Sequence, residues 1–509
     1  MNRIVVVGNG PVAHKTCSYL RTLDSSVDIV WAAPYCEQKY PWWLAHQLLS
    51  SGCSAGEWSR LRAKLAIDFE KRSKQLAVQK ELTRKIKINA RDRQITILTN
   101  AGETTYEFEA LLVFPPLIAE DAGLSGLNFP SSECMKKIEE SVKNPQKTLV
   151  VGNSLSLVFS CVHLGDSLQW LRPRSGVWDP EILAFVDRML NGRGIEIIDY
   201  NSDPADQIKS LAEEASCILQ SSRLQADLEW IRNLGIRISE LDTCGISFLL
   251  SDAGLAPDEY NFQTWTAAGK IIAEQGLTSK KFFTCRLPSG PGCTFFGEDS
   301  LFRTGKTETA LTDEGLQFDL ALYTNRQAGE NKFSDFGIKI YAARDDGRIL
   351  GFQGIGPKAA EWGNLVEQYI QNKKQIFDLV LESSFFYPGP EMHPLQKGAS
   401  IIIHKQKVSG ILNITGQELL ASVDNGAEFF LLDVRDSSEC GKGMLSGAYN
   451  IPLNEIKKRF QEIPKFTPLV IYSRVSGRAF DAAVFLRFKG ARQLYVLDGG
   501  YEMWPFETR

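Results

Sequence analysis

The chain opens on an apolar run, Ile4-Val5-Val6-Val7, that ends in the turn Gly8-Asn9-Gly10-Pro11-Val12-Ala13 and continues as a helical stretch through Leu20. No other feature constrains the fold as much. A strand apolar on both faces, followed at once by a glycine turn and a helix, calls for a parallel sheet covered by helices. The spacing also carries chemistry: the first glycine makes the turn, the second admits a pyrophosphate, and the small third residue packs helix on strand. A second apolar stretch, Val27 to Trp31, follows at the spacing of a βαβ unit. Gly8, Gly10, Pro11, Val12 and Ala13 are therefore candidate cofactor-binding residues. The acidic residue that would bond an adenosine ribose at the end of the second strand is replaced by Ala32 and Ala33, with Glu37 nearby as a substitute.

The pattern returns in altered form at Thr148-Leu149-Val150-Val151-Gly152-Asn153-Ser154-Leu155-Ser156-Leu157. The strand and first glycine persist, but Ser154 and Leu157 stand where glycines would allow phosphate approach and close helix–strand contact. The next strand, Leu168 to Leu171, ends in Arg172-Pro173-Arg174 instead of an acid. Gly152, Ser154, Arg172 and Arg174 are thus a candidate NAD(P) or anion site. Two readings of the arginines stand: a 2′-phosphate clamp or a solvated face.

At 509 residues the chain needs several cores. A net charge of −4 excludes the basic footprint of a nucleic-acid or anionic-membrane partner. No apolar run spans a membrane, and the N-terminus enters a strand directly, so the expectation is a cytoplasmic protein. The ten cysteines form no C-x-x-C pair and the five histidines are dispersed, so no metal site is expected.

The C-terminal motifs resemble a rhodanese domain: Leu432-Asp433-Val434-Arg435 with Glu439, Gly447-Ala448-Tyr449-Asn450-Ile451-Pro452, the loop Ser473-Arg474-Val475-Ser476-Gly477-Arg478, and Leu497-Asp498-Gly499-Gly500 with Trp504. In that family the loop carries a cysteine thiolate loaded as a persulfide; here Ser473 stands in its place, and a hydroxyl cannot carry sulfur. Arg474, Arg478 and the loop amides would still suit an anion. Cys440 is read as a packed thiol.

In chain order the two fingerprints, an interface-like region and this tail resemble coenzyme A disulfide reductases fused to rhodanese, in the pyridine nucleotide-disulfide oxidoreductase class. Residues 338–341, 347–356, Phe386-Tyr387-Pro388 and His393-Pro394 look like its dimerisation domain. The resemblance implies FAD and NAD(P)H as cofactors, a homodimer, and a small-molecule or protein redox partner. It assigns Asp252 and the stretch with Thr266 and Ala267, ahead of a helix, to the flavin. It also gives Trp43 the position of the redox-active cysteine, with Tyr40 and Trp42 beside it facing the flavin; Cys36 and Cys53 flank the site. The expected fold is α/β: two Rossmann-like domains, one inserted in the other, an α+β dimerisation domain and an α/β rhodanese-like domain. Its expected parts are 1–116 and 241–300 (FAD), 146–240 (NAD(P)-like), 301–395 (interface) and 411–509 (rhodanese-like). The charged stretch Arg60 to Lys87 reads as helix giving way to a strand near Ile86 to Ile88, with a hairpin around Arg91-Asp92-Arg93 and then Gln94 to Leu98; residues 280–310 read as loop-heavy and 396–410 as a linker. The expected function is an FAD-binding oxidoreductase without its redox cysteine and with an inactive rhodanese module; the alternative is a pseudoenzyme or binding scaffold.

Overall fold

The computed structural model describes residues 3–8, 10–34, 60, 74–115, 117–119, 127–129, 132–173, 178–200, 205–221, 224–226, 228–235, 246–251, 262–279, 284–287, 291–325, 336–383, 392–407, 410–441 and 443–504. The chain forms two compact units, Met1–Arg174 with Gly194–Gly290, and Ser175–Arg193 with Pro291–Arg509.

The first unit holds two parallel sheets. In the larger, the strands run in the order Thr284–Leu287, Ile246–Ser251, Ala110–Phe114, Arg3–Gly8, Asp28–Pro34 and Gln79–Thr83. The opening strand is central, as its apolar run requires, and the helix Gly10–Leu23 leaves it directly. The hairpin expected around Arg91-Asp92-Arg93 forms between Lys85–Asn89 and Gln94–Thr99. Its Ile86, Ile88, Ile95 and Ile97 share a core with Val5, Val7 and Val113. The second sheet runs Glu196–Tyr200, Leu168–Pro173, Thr148–Val151, Cys217–Ser221, Leu127–Phe129.

The second unit carries an antiparallel sheet in the order Gly292–Phe296, Asp299–Gly305, Ile349–Gly356, Phe336–Ala343, Phe318–Asn325. Among its described residues, the region expected to be loop-heavy is largely strand: Gly292–Phe296 and Asp299–Gly305 pair as a hairpin. Their Gly and Thr content misleads because strands in a packed sheet accept both when neighbours supply the burial. The expected linker is also corrected. Pro394–Lys407 is a helix, and its Leu395, Ala399 and Ile402 join the sheet core with Ile338, Ile340 and Phe352. A parallel sheet follows, in the order Ile411–Ile414, Leu494–Leu497, Leu469–Tyr472, Phe430–Asp433, Tyr449–Asn450. Lys405 of the helix joins this module to the sheet, since its Nζ bonds both carboxylate oxygens of Asp498 at 2.6 and 2.7 Å and also the Leu320 carbonyl.

Candidate functional site

The first fingerprint is built by close backbone approach. Gly8 has φ +142, and a Cβ there would lie 2.4 Å from the Phe114 carbonyl oxygen, so only glycine fits. Ala13 is fully buried, the small contact that lets the helix lie on the sheet. Trp31, on the neighbouring strand and almost fully buried, donates its indole N–H to the Gly8 carbonyl at 2.9 Å. Ala33 lies two residues farther on the same strand and is buried; no carboxylate stands there. Gly10 begins the helix.

The second fingerprint repeats this frame. Strand register aligns Val6 with Trp31 and Val150 with Trp170. Trp170 donates its indole N–H to the Gly152 carbonyl at 2.8 Å, as Trp31 does to Gly8. Here the turn differs. Ser154 caps the helix Leu155–Ser160, its hydroxyl accepting from the Leu157 N–H, so an amide that a phosphate would use is already bonded. Leu157 is fully buried. Arg172 is equivalent to Ala33 by the same offset. Its guanidinium lies 4.7 Å over the Trp170 ring and bonds Asp199 at 2.7 Å, with the side chain only 8% exposed. It is not a solvated arginine, because its stacking face and its Nε are engaged within the sheet.

Thr266 and Ala267 do not precede a helix; they lie inside Phe262–Glu274, past its first turn, where backbone amides bond within the helix. This helix packs on Gly10–Leu23. Among the described residues Thr266 Oγ1 is buried without a hydrogen-bond partner. Asp252, Arg174, Glu37, Tyr40, Trp42, Trp43, Cys36 and Cys53 lie outside the described residues.

The third site is the loop between the strand Leu469–Tyr472 and the helix Ser476–Phe488. Ser473 is fully buried; its hydroxyl donates to the Val475 carbonyl and accepts from the Ala479 N–H at 3.2 Å. The loop is held from below by Gly500, whose φ is +61 and whose Cβ would meet the Ser473 carbonyl oxygen at 2.5 Å. Tyr501 N–H donates to that same carbonyl at 2.9 Å. Ser476 Oγ accepts from the Gly499 N–H at 2.9 Å, and Gly477 is exposed. Arg478 forks onto both oxygens of Glu439 at 2.7 and 2.8 Å, and the arginine holds that carboxyl below its ordinary range. Arg474 pairs with Glu502 at 3.4 Å. Both arginines expected to face an anion therefore face carboxylates. Cys440 lies 3.5 Å from Asp433, and burial with that carboxylate pushes its thiol up to about 11, which keeps it protonated.

The rhodanese-like domain model matches residues 415–505. A sulfurtransferase of Allochromatium vinosum is 31% identical over 91 residues, which cover 85% of that protein and 18% of this chain. Through this segment the chain belongs to the rhodanese-like family. The Bacillus subtilis protein YqhL is 40% identical over 74 residues, 14% of this chain and 59% of YqhL. Over its whole length the chain has the fold of pyridine nucleotide-disulfide oxidoreductases joined to rhodanese. The structure of an NAD-dependent persulfide reductase from A. fulgidus superposes with a TM-score of 0.80 at 17% identity, covering 99% of this chain and 100% of the other. Reduced Bacillus anthracis CoADR-RHD superposes with a TM-score of 0.75 at 17% identity, covering 99% and 97%. Among the described residues no helix is long and apolar enough to cross a membrane.

The sequence alone does not single out the two tryptophans or Glu502, and it gives Glu439 only as part of the rhodanese-like motif. The tryptophans carried a signal: each stands two residues before the position at which the ribose acid would sit. The carboxylate partners carried none, since neither pairing is local in sequence.

Proposed function

We propose that this chain is a flavin-dependent oxidoreductase of the disulfide-reductase fold that holds FAD in its first half and whose rhodanese-like module transfers no sulfur. The observation that carries the flavin reading is the Thr266 hydroxyl, buried without a partner on the helix packed against the fingerprint helix. A buried donor left unmade costs about 1–3 kcal/mol, and a polar ligand at this place would remove that cost. The strand–glycine turn–helix at Gly8 and Gly10 has the arrangement that admits a pyrophosphate. Gly8, Gly10, Val12, Ala13 and Thr266 would hold the cofactor, which supplies the electron-transfer chemistry while the protein orients it. With Trp43 at the position that the resemblance gives to the redox cysteine, thiol exchange is not the expected reaction.

The second half fits a nicotinamide nucleotide poorly, because Ser154 occupies the helix start and Arg172 is committed. This favours an electron donor other than NAD(P)H. The rhodanese-like module reads as inactive because the Ser473 hydroxyl is buried and bonded at both ends. The same tied arginines support the second reading, a scaffold that binds partners without turnover.

The test is a visible absorbance spectrum of the purified protein, alone and with FAD, followed by anaerobic NADH and NADPH. A flavin spectrum that neither nucleotide bleaches is expected. Absence of bound flavin even with added FAD would leave only the scaffold reading. In parallel, Ser473→Cys is expected to give no thiosulfate sulfurtransferase activity, because Arg478 remains on Glu439; measurable turnover would mean that the loop lost only its nucleophile.

A further inference from the structure

The helix Pro180–Asn191 falls in sequence between two strands of the second parallel sheet, yet Ser175–Arg193 forms part of the second unit. Its entry is held by a buried charge cluster. Lys339, on Phe336–Ala343, is fully buried; its Nζ bonds Glu181 at 2.8 Å and also Glu308, and lies 3.6 Å from Asp179. Asp179 Oδ2 accepts from the Tyr341 hydroxyl and from Gln353 Nε2 at 2.8 Å, while the Asp179 N–H donates to Gln353 Oε1 at 2.9 Å. Glu181 Oε1 is buried with no partner.

Three carboxylates thus meet one fully buried ammonium, two of them buried with it and Glu308 at the edge. Full ionisation would leave two uncompensated negative charges, which burial opposes strongly. Burial accordingly pushes Asp179 up to about 6 and Glu308 up to about 7. Burial also works against the charge on Lys339, but the three carboxylates outweigh it and hold its pKa above the ordinary value. The groups facing Lys339 are Asp179 and Glu181 at the helix entry, Glu308 on Glu308–Asp313, and Tyr341 on its own strand; Gln353 is uncharged. Arg303 stands 5.8 Å over the adjoining Trp178 ring. Glu308 also lines a cleft of about 650 Å³, so the cluster exchanges protons with solvent through this carboxyl.

We propose that this cluster is a proton-operated latch: with protons on its carboxylates it clamps Trp178–Asn191 to the sheet, and their loss near neutral pH loosens that segment. The sign follows from linkage. Both carboxyls bind protons more tightly when the segment is docked than when it is free, so docking is favoured at the acidic end and weakens as pH rises through their docked pKa values. Lys339 stays charged throughout and contributes no change in this range.

The experiment is hydrogen exchange on the full chain, following amides of Pro180–Asn191 between about pH 5.5 and about pH 8, corrected for intrinsic rates. Protection is expected to fall by about tenfold per pH unit for each proton released. In Glu308→Gln the fall becomes shallower and protection at the higher pH exceeds that of the parent protein. The helix Ser476–Phe488 serves as the pH-insensitive reference. Equal protection of the parent at both pH values, or an equally steep fall in Glu308→Gln, overturns the proposal. Infrared spectroscopy tests the parent protein without any variant. A buried carboxylic-acid C=O band present at the lower pH and lost at the higher is expected, and its absence at the lower pH also overturns the latch.

Discussion

The two fingerprints of the first unit share a frame and differ in what that frame is free to bind. Each has a parallel strand ending in glycine, Gly8 and Gly152, and each has a buried tryptophan bonding that glycine's carbonyl. Beyond the frame they diverge. The first continues at Gly10 into the helix Gly10–Leu23, and Ala33 fills the acid position. The second has Ser154 capping a six-residue helix, and Arg172 bonded to Asp199. Packing preserves the scaffold because every strand and glycine contributes to a core. The ligand-facing positions are free to drift, since filling them with an internal hydrogen bond costs the fold nothing.

The comparison is broken most severely at the glycines. Gly8→Ala sets a Cβ against the Phe114 carbonyl and in a backbone region that alanine resists, and is expected to cost about 3 kcal/mol or more and to abolish flavin retention. Ser154→Gly removes a side-chain cap for only a few tenths of a kcal/mol, and is expected to gain no nicotinamide affinity while Arg172 remains. Denaturant unfolding and nucleotide titration read both, and nucleotide binding by Ser154→Gly alone would mean the serine was the sole obstruction.

Next in size are the tryptophans. Trp31→Phe and Trp170→Phe each leave a glycine carbonyl without its indole donor, an expected loss of about 1–3 kcal/mol that is similar in the two halves. Markedly unequal losses in denaturant unfolding would mean that the halves are not held by the same device.

A smaller effect than at the tryptophans is expected at Arg172. Arg172→Ala removes an ion pair whose aspartate side chain is 36% exposed, together with the stacking on Trp170, for about 1 kcal/mol. Its destabilisation should shrink with added salt. A gain of NADPH binding instead of a stability loss would restore the arginine to a ligand role that its present contacts deny it.

Much of the fold was legible in sequence because it rests on local periodicity. The strand–glycine–helix units, the Lys85–Leu98 hairpin and the order of the rhodanese-like motifs were read from short apolar runs and turn residues. Besides the hairpin Gly292–Gly305, two stretches misled. The helix Pro394–Lys407 contains Gly398, His404 and several polar residues, and only its burial against Ile338 and Ile340 reveals its apolar face. Gln79–Thr83 lay in a charged stretch expected to be mainly helical; it is an edge strand paired to Asp28–Pro34. Its polar residues suit an edge position.

What the sequence determined by itself was the set of scaffolds and the residue types at their chemical positions: glycine at 8 and 152, serine at 154 and 473. Tertiary structure alone decided whether those positions are available. Arg172, Arg474 and Arg478 read in sequence as candidates for an anion, and each meets its carboxylate from a distant segment: Asp199, Glu502 and Glu439. The buried Lys339 cluster likewise draws Asp179 and Glu181 from one helix entry and Glu308 from another helix. Charge pairing in a low-dielectric interior depends on distances of a few ångströms. Those distances exist only once the chain has folded.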